Sequence, residues 1–291
     1  MKTVLITGAT GNVGLEVIRF LQKQNHRLNI IAGVRDIDKD KMVLGEYNVA
    51  VRRFDFTDLR SYKPALGNCD ELFLLRPPNI ANVQKYFKPL IDTAVELKLK
   101  HIVFLSVQGV ENSKIIPHYK IEQLIIKSKI PYTFLRPAYF MQNFSTTLNK
   151  DLVYRKRIFL PAGSSKFTLI DVRDVGAIAA TVLCDTGSHL NKMYELTSDE
   201  KLTFMQIARK LSVALETTIN YQSPGLFHFY LVKRKEKLPW AFILAMILLH
   251  YFPRFQKEPS ITGWVETIRG SKPISFDEFI RDNIALLGKA G

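Results

Sequence analysis

The stretch "VLITGATGNVG", residues 4–14, decides the fold. An apolar strand pattern runs directly into Gly8, Gly11 and Gly14, and a helical pattern follows. Glycine has no Cβ, so it tolerates positive φ and lets another group approach the main chain. We expect Gly8 to make the turn, Gly11 to admit a pyrophosphate, and Gly14 to let the helix lie close against the strand. The stretch predicts a dinucleotide-binding turn, with an ordinary tight strand-to-helix turn as the alternative.

Strand and helix patterns alternate through the first half of the chain. One helical pattern, residues 83–99, continues through Pro89. Such alternation implies right-handed crossovers and a parallel sheet that is buried on both faces. The strand segments are "TVLITG", "RLNIIAGVRD", "NVAVRRFDF", "CDELFLLRPP", "KHIVFLSVQG" and "PYTFLRPAYF".

These patterns predict an α/β fold, a Rossmann-type doubly wound parallel sheet with a smaller α/β C-terminal substrate lobe. Residues 1–150 are the expected NAD(P)-binding core. Residues 151–291 are expected to return one strand and helix to the core and to form the substrate lobe. Within them, Thr203 is predicted to cap a helix, and "PISFDEFIRDNIALL" predicts a final amphipathic helix.

The composition indicates a globular protein with a basic surface. Of 291 residues, 47% are hydrophobic and 23% are charged, which is not the composition of a disordered chain. The formal net charge of +14 favours anionic partners such as a phosphorylated cofactor, nucleic acid or an acidic membrane surface. The basic residues are spread along the chain, so a solvated surface is the favoured interpretation. We expect no nucleic-acid binding, since no basic and aromatic cluster marks one surface.

Cysteine and histidine usage favours a cytoplasmic protein without a metal site. No apolar signal segment precedes the first strand pattern. Cys69 and Cys184 stand alone, so no disulfide framework or zinc spacing is present. The six histidines show no HxxH or HExxH spacing.

A strongly apolar stretch, "LPWAFILAMILLHYF" (238–252), follows the basic "VKRKEK" (232–237). A membrane-spanning helix needs about 20 apolar residues. Pro239, His250 and Pro253 bound a shorter run, so we expect no stable membrane span. A buried helix or substrate lid is favoured; a membrane-surface helix and a partner-binding helix are the alternatives.

The end of the second strand pattern indicates which dinucleotide binds. A site that prefers NAD places an acid there, on the ribose 2′-hydroxyl. Here the strand ends in Arg35, and Asp36 follows. A guanidinium suits a 2′-phosphate, and Lys39 and Lys41 can add charge. NADP(H) is therefore the preferred cofactor, with NAD(H) as the alternative through Asp36.

Further cofactor contacts are expected where the strands end, because ligands lie outside the carboxyl ends of parallel strands. Each of these positions has an ordinary loop as its alternative. The expected contacts, with those of the turn, are Thr7, Gly8, Thr10, Gly11, Asn12, Val13, Gly14, Arg35, Asp55, Phe56, Leu75, Arg76, Pro77, Ser106, Val107, Gln108, Pro137 and Tyr139.

The TGxxGxxG spacing resembles the short-chain dehydrogenase/reductase superfamily, whose members bind NAD or NADP on a Rossmann fold. Most enzymes there use a Tyr-xxx-Lys pair on the helix after strand five. In this chain Tyr119 is followed by Gln123 at the lysine position, so the pair is absent. The segments "HYKIEQLI" and "IPYTFLRPAYFMQNF" resemble the NmrA-like family of atypical members. That family includes NADPH-dependent quinone reductases, triphenylmethane-dye reductases, ether reductases and redox-sensing regulators without turnover.

The resemblance implies a proton donor at the start of the helix after strand five. In the family's enzymes a lysine or histidine there faces the nicotinamide, and His118 stands at that position. His118 and Glu122 share a helical face, and a histidine near its usual pKa can deliver a proton at neutral pH. A helix-start histidine without a role is the alternative. Tyr139 is the second candidate, as proton donor or stacking wall, and Asn143 can orient substrate.

The predicted function is NAD(P)H-dependent reduction of a quinone-like, conjugated carbonyl or aromatic small molecule by a monomer or homodimer. The alternative is a non-catalytic NADP(H)-binding redox sensor that acts through a protein partner. Aromatic residues of the second half line an acceptor pocket or fill the core. They are Phe140, Phe144, Phe227, Phe229, Tyr230, Trp240 and Phe242.

Overall fold

The structure is a computed structural model, and it describes residues 1–24, 28–47 and 49–288. The described chain divides into two compact units. Unit 1 comprises Met1–Pro137, Val172–Leu196 and Gly263–Lys272. Unit 2 comprises Ala138–Asp171, Thr197–Thr262 and the chain from Pro273 onward.

The strands of the described residues are β1 (Lys2–Thr7), β2 (Leu28–Val34), β3 (Ala50–Arg53), β4 (Glu71–Leu75), β5 (His101–Leu105), β6 (Tyr132–Pro137), β7 (Tyr139–Phe140), β8 (Arg157–Phe159), β9 (Lys166–Ile170), β10 (Lys192–Leu196), β11 (Lys201–Thr203) and β12 (Asn220–Gln222).

The α-helices are α1 (Asn12–Lys23), α2 (Ile37–Leu44), α3 (Tyr62–Leu66), α4 (Val83–Glu96), α5 (Pro117–Ser128), α6 (Asn149–Arg155), α7 (Val172–Cys184), α8 (Thr186–His189), α9 (Phe204–Ala214), α10 (Leu226–Lys235), α11 (Trp240–Tyr251), α12 (Trp264–Arg269), α13 (Phe276–Asp282) and α14 (Ile284–Gly288).

Unit 1 is built on a parallel sheet of seven strands in the order β10-β6-β5-β4-β1-β2-β3. The order runs outward in both directions from β1 and β4, which are paired neighbours. This is the doubly wound Rossmann order, and its switch point lies between those two strands. The predicted fold class is confirmed.

The helices of unit 1 follow the apolar periodicity of the sequence. On α1, Val13, Val17, Ile18 and Leu21 form the buried face, as the spacing predicts. The predicted helix through Pro89 is present as α4.

Unit 2 contains a three-stranded sheet, β11-β9-β7, a two-stranded sheet, β12-β8, and the helices that cover them. Thr203 caps α9 as predicted, and the Gln206 side chain completes a capping box. The predicted final helix is broken at Asn283, so it forms α13 and α14. Ala138 already belongs to unit 2, so this division falls earlier than the expected boundary at 150. A substrate-binding role for unit 2 stays a proposal.

Helix α11 differs from the favoured expectation of a buried helix. Only Ile243, Met246 and His250 are buried on it. Trp240 and Leu249 are 64% and 50% exposed. The helix is apolar all round, but unit 2 offers packing partners to one face alone. Within the described ranges, no helix combines the length and the apolar character that crossing a bilayer requires.

Candidate functional site

The ends of β1 and β4 are fastened together at the switch point. The Thr7 hydroxyl donates to the Phe73 carbonyl at 3.1 Å and accepts from the Leu75 N–H at 2.8 Å. Thr7 is fully buried, so its hydroxyl is committed to the sheet. It shapes the turn that follows, and a cofactor contact at Thr7 stays a prediction.

The glycine turn has the geometry that its spacing predicts. Gly8 has φ +63°, and its carbonyl accepts from the Gly11 N–H at 3.0 Å. A Cβ on Gly14 would lie 2.2 Å from the Gly8 carbonyl oxygen, and one on Gly11 would lie 3.2 Å from it. Helix α1 can therefore approach the strand only with glycine at residue 14.

The start of α1 is open for an anion. Gly11 is its N-cap, no side chain caps the helix, and its first turn contains no acidic residue. Asn12 is exposed and Thr10 half-buried, while Val13 is buried beneath them. Main-chain N–H groups at an uncapped helix start, beside glycines that carry no side chain, together fit a diphosphate. The turn residues present therefore fit the pyrophosphate of a dinucleotide.

Arg35 and Asp36 follow β2 and have different tasks. The Asp36 carboxylate is the N-cap of α2 and accepts from the Lys39 N–H at 3.2 Å. Arg35 is exposed. Arg35 as a contact of a ribose 2′-phosphate stays a prediction.

The residues after β3 serve the fold. The Asp55 carboxylate accepts from the N–H and the hydroxyl of Thr57, at 2.7 and 2.8 Å, and closes an Asx turn. Phe56 is buried, with its ring centroid 4.9 Å from that of Phe54 and 5.2 Å from that of Phe87. The Phe56 ring is therefore core, and a cofactor contact at Phe56 stays a prediction.

Arg76, directly after β4, contacts His118 at the start of α5. Its Nε–H donates to the His118 Nε2 at 3.3 Å, and its Nη1 donates to the carbonyls of Pro77 and Ile80 at 2.9 and 2.8 Å. Burial lowers the pKa of Arg76 to about 10. It contributes a cation at the switch point that is held by neutral acceptors.

His118 is a neutral imidazole in this environment. Burial, and then the charge of Arg76, lower the pKa of His118 to about 3. A neutral imidazole whose Nε2 accepts has its proton on Nδ1. The premise that His118 titrates near its usual pKa was wrong, because the sequence did not reveal the arginine against it. Only Nδ1–H can donate.

Glu122 shares the helical face of His118 but pairs with Arg136. Its two oxygens accept from the Arg136 Nε and Nη2 at 3.0 and 2.7 Å. Glu122 is buried, so this bidentate pair is a support of the α5 packing.

The loop after β5 contains a buried hydroxyl without a protein partner. Ser106 is buried, and no described group hydrogen-bonds to its Oγ. The Gln108 N–H donates to the Pro137 carbonyl at 3.0 Å, and the Gln108 side chain donates to Glu195 at 3.3 Å. Val107, between Ser106 and Gln108, is half-buried. A bound ligand can satisfy the Ser106 hydroxyl at this strand end.

Tyr139 belongs to unit 2 and is buried there. Its hydroxyl donates to the His250 Nε2 at 3.2 Å, and the His250 Nδ1 donates to the Met246 carbonyl at 2.6 Å. Asn143 adds a side-chain hydrogen bond to the phenol. Burial raises the pKa of Tyr139 and lowers that of His250 to about 4. The phenol and imidazole therefore form a neutral pair, and Tyr139 as a proton donor stays a prediction.

The aromatic residues expected to line a pocket are dispersed. Phe144 and Phe229 are fully buried in the core of unit 2. Phe227, Tyr230 and Trp240 are exposed. These five rings therefore divide between core and surface.

A model of the NmrA-like family matches residues 1–231. The chain belongs to the NmrA-like family. Membership agrees with the glycine turn and with the absence of a Tyr-xxx-Lys pair on α5.

Several relatives align along most of this NmrA-like chain. Prestalk A differentiation protein A of Dictyostelium discoideum is 30% identical, covering 97% of this chain and 93% of that protein. The NAD(P)H azoreductase of Xenophilus azovorans is 27% identical, with coverage of 99% and 100%. Quinone oxidoreductase 2 of Escherichia coli strain K12 is 28% identical, with coverage of 81% and 82%.

A solved structure supports the same family fold. The triphenylmethane reductase of Citrobacter sp., crystallised with NADP(H), is 26% identical to this chain. The TM-score is 0.85, and the match covers 96% of this chain and 99% of that one.

Three contacts in this structure could not be predicted from the sequence. They are the contact between Arg76 and His118, the Glu195 anchor of the β5 loop, and the bond between Tyr139 and His250. Each joins residues that are far apart in the chain. The capping role of Asp36 had a local signal, since an aspartate before a helical pattern is a common N-cap.

Proposed function

We propose that this NmrA-like protein is an NAD(P)H-dependent oxidoreductase that prefers NADP(H). The observation that carries the proposal is the glycine turn at the switch point, where Gly14 allows α1 to present an uncapped N-terminus. A diphosphate is the ligand class that such a turn suits.

The residues that would hold the nucleotide are those of unit 1. Gly8, Gly11 and Gly14 would surround the diphosphate with main chain, and Arg35 would pair with a 2′-phosphate. The Ser106 hydroxyl would gain a partner. The bound nucleotide supplies the hydride.

Arg76 and His118 would stabilise the negative charge that develops on the acceptor. The Nδ1–H of neutral His118 can donate a hydrogen bond to an oxygen or nitrogen that gains negative charge. Arg76 fixes the tautomer through Nε2, and its own charge favours that anion. The pair therefore suits an acceptor that becomes negative as it receives hydride.

The proposed acceptor is a planar conjugated molecule, quinone-like or a dye. Relatives named for azo compounds, a quinone and triphenylmethane support this class. Hydride addition to a quinone places charge on oxygen, where an N–H donor is needed.

A non-catalytic redox sensor is the second candidate. Both predicted proton donors are engaged by protein partners, His118 by Arg76 and Tyr139 by His250. A relative named for differentiation is compatible with regulation. A sensor would bind the nucleotide and change its affinity for a protein partner.

Calorimetry and turnover separate the two candidates. We expect NADPH binding by calorimetry, and NADPH oxidation with menadione, an azo dye or a triphenylmethane dye. Binding without turnover on all three acceptors would favour the sensor. Pull-downs with NADP⁺, with NADPH and without nucleotide would then have to recover different proteins. No binding of any pyridine nucleotide would overturn both candidates.

A further inference from the structure

Helix α11 of unit 2 exposes a continuous apolar surface. Every exposed position on it is apolar, and Trp240, Leu244, Leu248 and Leu249 are 43–64% exposed. Phe252 and Phe255 extend this surface beyond the helix. We call these six residues the α11 face. A contiguous exposed apolar surface marks an interaction site.

Helix α10 packs beside α11 and also exposes apolar side chains. Its Phe227 and Leu231 are 77% and 49% exposed. The opposite side of α11 is fixed in the core of unit 2 through Ile243 and Met246. The α11 face is therefore presented by an anchored element.

Basic side chains bracket the α11 face at both ends. Arg234, Lys235 and Lys237 are exposed before α11, and Arg254 and Lys257 are exposed after it. All five lie in the stretch 234–258, which runs from the last turn of α10 to just beyond Phe255.

The acids of this stretch are engaged by other cations. Glu236 accepts from Lys233 at 2.9 Å and also from Arg155. Glu258 pairs with Lys166 at 3.1 Å and lies 3.7 Å from Lys201. The margin of the α11 face is therefore cationic.

An apolar face with a cationic margin matches an anionic bilayer. A helix of 12 residues is about 18 Å long, too short to cross the hydrocarbon core. A helix lying in the interface buries its apolar side chains among acyl chains while lysine and arginine reach the headgroups. A second copy on this face would bring two cationic margins together, which is unfavourable. Leu244, Leu248 and Leu249 separate Trp240 from Phe252 and Phe255, so the middle of the face has no ring on which a nucleic-acid base can stack.

We propose that the α11 face docks this protein on anionic lipid bilayers, with α11 lying in the membrane interface. Trp240 and the leucines enter the headgroup region, and the five flanking cations pair with lipid phosphates. The proposal is independent of the reductase activity and of the nucleotide.

Flotation of the full chain with vesicles tests the proposal. The probes are vesicles of phosphatidylcholine alone and of phosphatidylcholine with about one phosphatidylglycerol in three lipids, whose negative surface potential attracts basic segments. We expect binding to the anionic vesicles, loss of binding in concentrated salt, and little binding to the neutral ones. In the Trp264→Phe variant, Trp240 is the remaining tryptophan, and its emission should shift to the blue on anionic vesicles.

Two variants of the face and two matched controls complete the test. Leu244→Ser/Leu248→Ser should abolish binding, and Arg234→Gln/Lys235→Gln/Lys237→Gln should lower the partition coefficient on the order of a hundredfold. Val213→Ser and Lys127→Gln alter exposed residues elsewhere and should bind like the parent chain. Circular dichroism melting confirms that each variant is folded.

Three results would overturn the proposal. The first is no binding to the anionic vesicles by the folded parent chain. The second is a dimer in sedimentation velocity that Leu244→Ser/Leu248→Ser dissociates, which assigns the face to a second copy. The third is binding of a single-stranded oligonucleotide that competes with vesicles and is lost with Trp240→Ala.

Discussion

The Nε–H of Arg76 donates to the Nε2 of His118 across 3.3 Å at the switch point of the sheet. Burial, and then the cation that this contact places beside the ring, lower the pKa of His118, so the imidazole stays neutral at physiological pH. A neutral histidine with a fixed tautomer offers one hydrogen-bond donor, its Nδ1–H. The neutral imidazole has a testable consequence for how the rate of the proposed reductase depends on pH.

We expect the pH profile of NADPH turnover to show no inflection near pH 6.5, since the pKa of His118 is lowered to about 3. His118→Gln should lower kcat about a hundredfold or more, the range for a lost hydrogen-bond donor to a developing anion. Steady-state kinetics from pH 5 to 8 measures both. His228→Gln, at an exposed histidine, is the control. An inflection near pH 6.5 that disappears in His118→Gln would contradict the neutral imidazole.

Gly14→Ala should weaken nucleotide binding while the protein stays folded. Its Cβ would lie 2.2 Å from the Gly8 carbonyl oxygen, so α1 must move away from the turn. Calorimetry should show affinity for NADPH reduced by at least about tenfold, which corresponds to ~1.4 kcal/mol. Gly187→Ala is the matched control, because its Cβ would meet nothing within 4 Å. If Gly14→Ala binds NADPH with unchanged affinity, the diphosphate does not bind at this turn.

Arg35→Ala should weaken NADPH much more than NADH. The guanidinium is exposed at the end of β2, while Asp36 is engaged as the cap of α2. A lost charged contact costs on the order of 1.5–3 kcal/mol. Arg60→Ala removes another exposed arginine and should change neither affinity. Equal losses for both nucleotides would show that Arg35 does not read the 2′-phosphate.

Tyr139 and His250 should be energetically coupled. Tyr139→Phe leaves the His250 Nε2 without this donor, and His250→Leu leaves the phenol without this acceptor, each costing about 1–3 kcal/mol in a buried site. The double variant should lose less stability than the sum of the two. Urea denaturation of the four proteins gives the coupling. Strict additivity would mean that the bond contributes nothing.

Stability should fall as the pH is lowered below about 6.5. Burial lowers the pKa of His101 and His250 to about 4, and that of His118 to about 3. Between those values and the unfolded value near 6.5, the unfolded chain binds more protons than the folded chain. The contribution is therefore complete above pH 6.5 and is lost as the pH falls through this window. Urea midpoints at pH 7 and pH 5 measure it. A higher midpoint at pH 5 would reverse the sign.

Local patterns were sufficient for the sheet and the glycine turn, since strand alternation and glycine spacing are properties of neighbouring residues. Gly8 with positive φ and Gly14 against the Gly8 carbonyl are examples. Local patterns could not predict the protonation state of His118, because it depends on contacts such as that with Arg76, which only the folded sheet brings near. The exposed side of α11 could not be predicted from hydropathy, which measures how apolar a helix is, while its burial depends on the partners available.

Strand β10 pairs with β6 along the margin of the large sheet, yet Lys192 is far downstream of Pro137 in the chain. During synthesis, β6 therefore emerges from the ribosome well before the strand that covers it. Until residues 192–196 arrive, its N–H and C=O groups form an open ladder that invites pairing with another nascent chain. A polypeptide truncated between residues 137 and 192 retains the nucleotide turn but loses this covering strand, so we expect it to aggregate.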